Sequence, residues 1–110
     1  MFGFGLIMLS LFQLSTRKYE DEIPLVQKAM AELESKCNLS NGYKIGKPFN
    51  RAGWTFFDLE ISVEMTEIIE KSGMMEGALG FTISEQIKNF VGHHLESFGS
   101  QVRIKKIDYT

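Results

Sequence analysis

The chain has 110 residues, 44% of them hydrophobic and 24% charged, with a net charge of −2. That length suits one domain with a core of its own, the composition argues against disorder, and a single cysteine, Cys37, excludes an internal disulfide framework. DNA-binding proteins displace counterions with a basic surplus that this chain lacks, so a nucleic-acid partner is not expected.

The first fourteen residues, MFGFGLIMLSLFQL, hold ten large apolar side chains and no charge. As a helix they would span about 21 Å, short of the roughly 30 Å of bilayer hydrocarbon. The basic n-region and small-residue cleavage site of a secretory signal are not visible. Residues 1–16 are therefore read as an apolar segment preceding the domain. The first reading is a buried or subunit-contact helix; the second is a short membrane anchor or interfacial helix, with Arg17 and Lys18 at its cytoplasmic edge; the third is an apolar strand. Left in water, such a run exceeds the apolar patch a monomer normally carries. Phe2, Phe4, Leu6, Ile7 and Leu9 are accordingly candidate partner-contact residues.

Residues 17–110 read as a single α+β domain. Its first helix is expected over Asp21–Cys37, where Ile23, Val26, Met30, Leu33 and Cys37 draw one apolar stripe. The acidic run Glu20-Asp-Glu22 suits the positive end of its dipole, and Pro24 is tolerated in a first turn. Asn38–Gly42 ends the helix, with Gly42 offered as the left-handed residue. Tyr43 to Phe49 reads as a short strand, placed at a sheet edge by Pro48. Asn50–Gly53 would turn it back as a hairpin.

Trp54 to Met65 is the pattern that anchors the fold. Phe57, Leu59, Ile61, Val63 and Met65 alternate with Asp58, Glu60, Ser62 and Glu64, which describes a strand with one dry face and one acidic, wet face. A short helix through Ile68 and Ile69 should follow, closed at Ser72-Gly73. The glycine- and methionine-rich loop of residues 74–80 presents Met74 and Met75, side chains that adapt to irregular partners. These two complete the candidate contact set, with a lid over the core as the equal alternative. Thr82-Ile-Ser-Glu85 is a capping box for a second long helix, Ile83–Phe98. Gln101–Tyr109 makes the last strand, its alternation restored by a bulge at Lys105-Lys106. Its basic wet face places it beside the acidic 54–65 strand. The whole is an α+β fold: a small two-layer sandwich with helices on one face of a three-stranded sheet.

Chemistry is harder to find. His94 falls on the apolar stripe of its helix and His93 about 100° away, so the pair does not converge on an ion, and burial explains Cys37 and His94 better than a nucleophile–base pair does. Gly73, Gly77 and Gly80 lack the lysine of a phosphate-binding loop. No cofactor or metal site is expected. The sequence therefore points to a non-enzymatic interaction or assembly subunit, attached to a protein partner, a second copy or a membrane through its apolar N-terminus. It would be cytoplasmic or held at the cytoplasmic side of a membrane. The alternative is a small enzyme or ligand-binding domain with a pocket near Cys37 and His94.

Overall fold

A computed structural model of the chain describes residues 9–107. Eight elements follow in order: β1 (Ser10–Thr16), α1 (Tyr19–Lys36), β2 (Tyr43–Ile45), β3 (Phe49–Arg51), β4 (Trp54–Ile61), α2 (Val63–Lys71), α3 (Ile83–Ser97) and β5 (Arg103–Lys106). They form a mixed α+β domain in which three helices accompany one five-stranded antiparallel sheet. The strand order is β2-β4-β1-β5, with β3 also on β4. With β2 and β3 taken as one interrupted edge strand, the path is β-α-β-β-α-α-β; with α2 and α3 counted as one helical connection it has the split β-α-β connectivity of ferredoxin-like domains.

The sheet corrects two expectations drawn from the sequence. Among the described residues it has five strands rather than three, and the apolar stretch from Ser10 onward is an interior strand beside β4, itself interior as expected, rather than a segment preceding the sheet. β1 pairs with β4 from Ser10↔Ile61 to Thr16↔Thr55 and with β5 from Phe12↔Lys106 to Ser15↔Arg103. It therefore stands between the acidic and basic strands that were expected side by side. The reason lies in its own alternation: Ser10, Phe12, Leu14 and Thr16 are buried while Leu11, Gln13 and Ser15 are half-exposed. A strand with one dry face and paired on both edges over residues 12–15 satisfies its backbone groups there.

Local chemistry moves several boundaries. β4 ends at Ile61 because the Ser62 side chain accepts a hydrogen bond from the Met65 amide at 3.1 Å, capping α2. Met65 is buried as a helix residue one turn before Ile69, so the period-2 pattern runs on into an i, i+4 pair. The edge strand breaks between Ile45 and Phe49, where Pro48 donates nothing. The 101–109 strand carries no bulge across its described pairs: Lys105 and Lys106 face opposite ways in a regular ladder, which continues with the Ile107 amide donating to the Leu11 carbonyl at 2.9 Å. At the end of α1 the left-handed residue is Asn38 (φ 58), not Gly42. Gly42 is required for space: its amide donates to Glu34 at 2.8 Å, and a Cβ there would run into the Met65 sulfur.

The core lies between one face of the sheet and the helices. Phe12 and Leu14 of β1 and Phe57, Leu59 and Ile61 of β4 meet Val26, Met30 and Leu33 of α1, Met65 and Ile69 of α2, and Ile87, Val91 and Leu95 of α3. The stripe read from the sequence for the first long helix supplies its side of this core; in α3 the apolar residues from Ile87 onward do so, whereas Ile83, which opens the helix and was expected in the same buried stripe, is exposed. The capping box is present as read: the Glu85 amide donates to Thr82 Oγ1 at 3.1 Å, and Glu85 Oε1 accepts from the Thr82 amide at 3.3 Å.

Two measurements follow. Leu14→Ala empties a fully buried position in β1 and should lower stability by about 2–5 kcal/mol in chemical denaturation. In the β3–β4 hairpin, Ala52 (φ 52) and Gly53 (φ 84) form a two-residue turn with both residues left-handed. Alanine is strained there, so Ala52→Asn should raise stability by roughly 0.5–1 kcal/mol, read as an upward shift in midpoint at unchanged slope.

Candidate functional site

His94 sits on the inner flank of α3, and its Nε2–H donates to the Ala29 carbonyl oxygen of α1 at 2.8 Å. The same nitrogen lies 3.3 Å from Glu32 Oε1, and the ring lies against Phe90 and Phe98 at centroid separations of 6.3 and 5.1 Å. A carbonyl can only accept, so this contact places the proton on Nε2 and spends it on helix–helix docking. His93 is exposed beside Glu96. Cys37 is buried at the C-cap of α1, and burial raises its thiol pKa above the usual value. The thiol is not among the hydrogen-bond partners of His94, so the nucleophile–base pairing of the alternative reading is not assembled among the described residues. Neither is any group of three or more His, Cys, Asp or Glu side chains able to hold a metal ion.

Glu22, read from the sequence only as part of an acidic helix start, is a buried clamp. Its Oε1 accepts from Ser100 Oγ at 2.7 Å and from the Gln101 amide at 3.0 Å. These bonds tie the first turn of α1 to the α3–β5 turn, almost eighty residues away in sequence. Two charge-assisted bonds satisfy a carboxylate that would otherwise be costly to bury.

Two exposed surfaces remain. The first is the loop before α3. Leu79 is 76% exposed and Phe81 fully so, with Ile83 partly exposed beside them. The loop is anchored beneath: the Asn89 side-chain amide donates to the Leu79 carbonyl at 2.6 Å, and Met74 and Met75 are half-buried against the core. Phe2, Phe4, Leu6 and Ile7 lie outside the described residues, and Leu9 is half-buried immediately before β1. The topology places this loop toward the end of the sheet where β1 begins. α3 ends near Arg103, which pairs with Ser15 late in β1, so its first turn lies toward the opposite end. At that end Ser10 Oγ meets Thr66 Oγ1 of α2 at 3.0 Å, just before the loop. Among the described residues, no helix is long and apolar enough to cross a membrane.

The second surface is the sheet face that no helix covers. Asp58 and Glu60 point out from β4, as the alternation requires, but they share that face with aromatic side chains. The guanidinium groups of Arg17 and Arg103 both lie over the Trp54 ring, at 5.0 and 4.6 Å from its centroid. Phe56 stacks on Phe49, which is 50% exposed, at 5.4 Å. Sequence reading gave the last strand a basic wet face but did not see this cluster, because it requires β1 to stand between β4 and β5. The available signal was that Arg17, Ser15 and Gln13 continue the alternation of Leu14 and Phe12.

Cys37 yields a pH-dependent test. Its folded pKa is raised, so the unfolded chain releases the thiol proton first. The associated stability is whole below the unfolded pKa and is lost as pH rises from there through the folded value. Tyr43, whose hydroxyl is raised first by burial and then by the nearby Glu34 carboxylate, acts in the same direction at higher pH. Denaturant midpoints should therefore fall above about pH 8.5, and Cys37→Ala should remove the earlier part of that fall. Iodoacetamide should label native Cys37 far more slowly than the unfolded chain.

Comparison with protein-family models, with curated proteins and with solved structures finds no match for this chain.

Proposed function

We propose that the protein is a non-enzymatic interaction or assembly subunit, docking to a protein partner, a second copy of itself or a membrane through the apolar end of the domain. The observation that carries this reading is the exposure of Phe81 and Leu79 at the end where β1 begins. The eight residues leading toward that strand, MFGFGLIM, contain no charge. Solvated large side chains normally occur singly; here two aliphatic or aromatic side chains are exposed together at the end where β1 begins, and the sequence leading into β1 is itself uncharged and apolar. Each such side chain contributes on the order of 1.5–3 kcal/mol when fully covered, so three or four of them supply a usable contact. The enzymatic alternative draws no comparable support, because His94 is engaged in joining α3 to α1.

The contact residues are thereby redistributed. Phe2, Phe4, Leu6, Ile7 and Leu9 keep their proposed role through sequence continuity with β1. Met74 and Met75 support the loop from beneath and Phe81 and Leu79 form its outer surface, so the second pair is expected to carry more of the contact energy than the first.

The test uses full-length protein, a chain lacking residues 1–8, and the double substitution Leu79→Ser with Phe81→Asp. Membrane fractionation and sedimentation velocity read the outcome. Full-length protein should pellet with membranes or sediment as an assembly, while both variants should sediment as soluble monomers with unchanged thermal unfolding. A full-length chain that is itself a soluble monomer, indistinguishable from the two variants, would refute the proposal.

A further inference from the structure

The chain contains three arginines, Arg17, Arg51 and Arg103. They come from three different strands or strand ends, and the register gathers them around one residue. Arg51 is paired with Trp54 across the hairpin, and Arg17 and Arg103 lie over the Trp54 ring. Arg103 belongs to β5, two strands away from β4, or roughly 10 Å at ordinary strand spacing. The indole therefore reaches across β1 over the small side chain of Ser15, which lies between Phe56 and Arg103 in the register. Among the described residues, none of the three guanidinium groups has a carboxylate within 4.0 Å, while Lys36 and Lys71 each have one.

We infer that this arginine–tryptophan end of the open sheet is a second docking surface, and that its partner is a carboxylate-rich peptide segment of another protein. It lies at the opposite end of β1 from the apolar loop and stands whether or not that loop docks to anything. Three arguments support it. First, arginine and tryptophan are the residue types most enriched at protein–protein hot spots, and the half-exposed Phe49 stacked on Phe56 adds an aromatic rim. Second, stacking on an indole face holds a guanidinium plane while leaving its edge N–H groups free. That is the preorganised fork a carboxylate takes in bidentate fashion. Third, the charge pattern restricts the length of the anion. Asp58 and Glu60 follow along the same face of β4, and Glu20 and Asp21 share with Arg17 and Lys18 the lining of a depression of about 410 Å3 beside the cluster. A nucleic-acid backbone crossing the face would meet these carboxylates within a few nucleotides, and the one tryptophan ring already carries two guanidinium groups, at 5.0 and 4.6 Å from its centroid. A peptide bearing two or three carboxylates meets neither obstacle.

Trp54 is the chain's one tryptophan, so its emission reports on this surface directly. The full chain is titrated with a blocked hexaglutamate peptide and, separately, with hexathymidylate, at low and physiological salt. Hexaglutamate should give a saturable change in emission that weakens with salt. Arg17→Gln and Arg103→Gln should each weaken it about tenfold. Arg51→Gln, on the hairpin, is the variant to use should either of the others lower the thermal midpoint. Absence of a saturable response, or a response that survives all three substitutions, overturns the proposal. So does arginine-dependent binding of hexathymidylate that is tighter than that of hexaglutamate, which would make the face a nucleic-acid site. A concentration-dependent emission change without ligand, abolished by Arg51→Glu, would overturn it in favour of a second copy of the chain.

Discussion

The pairing of β1 on both of its edges is the constraint from which the rest of the structure follows. Phe12 and Leu14 are 1% and 0% exposed, and they are buried only because the strand lies between β4 and β5 with the helix layer over its even-numbered face. Remove β1 from that place and β4 loses its longer partner, β5 loses the only one it has among the described residues, and the inner face of the sheet opens between Ile104 and Leu59. The pairings it makes are also the most non-local in the chain, joining residues 10–16 to residues 55–61 and 103–106. Loop closure over such separations is costly in chain entropy, and the apolar faces of Phe12 and Leu14 are what offset it.

Helical coverage of one face only determines where function can reside. The inner face is committed to packing, and three of its polar groups are committed as well: Glu22 to the α3–β5 turn, His94 to Ala29, Ser10 to Thr66. These are the groups that would otherwise invite a catalytic reading, and each has a structural partner within hydrogen-bond distance. What is left for recognition is peripheral, namely the loop before α3 and the uncovered sheet face. Interaction surfaces of that kind are assembled from side chains that the core does not need, which is why neither resembles a concave ligand site.

Much of this was legible in the residues. The stripe Val26, Met30, Leu33 identified α1, the Thr82–Glu85 box identified the start of α3, and the alternation Phe57, Leu59, Ile61 identified the dry face of β4. Each is a local periodicity, and local periodicity is what a sequence displays. The preferred reading of segment 1–14 as a helix fails from Ser10 onward, because the segment is apolar almost throughout and so carries two periods at once. Only the burial of Phe12 and Leu14 against the exposure of Gln13 and Ser15 distinguishes strand from helix, and that contrast occupies four residues. The misplacement of β5 followed from it. Lys105 and Asp58 do lie in one row across the sheet, with Gln13 between them, so charge complementarity was a true signal read at the wrong distance. The arginine cluster could not be seen at all from one dimension, since its members are 34 and 52 residues apart in sequence and meet only through the strand that had been misread.

The same strand separates the two proposed surfaces. β1 enters the sheet beside α2 at Ser10 and leaves it at Thr16, directly before Arg17. At roughly 3.3 Å per residue, the apolar end and the arginine end are about 25 Å apart. Side chains that distant and without shared partners act nearly independently, so occupation of one end leaves the other free in both energy and geometry. Were the apolar end held at a membrane or another subunit, the Arg17–Trp54–Arg103 stack would face away from it into solvent. There the guanidinium groups are screened by salt beyond about 8 Å and recognise an anion only on close approach. If both proposals hold, a single strand carries an apolar contact at its start and an aromatic-backed cationic fork at its end, the geometry of a connector between two partners. In this chain, that geometry follows from the order of residues in the nine-residue run Leu9 to Arg17, LSLFQLSTR.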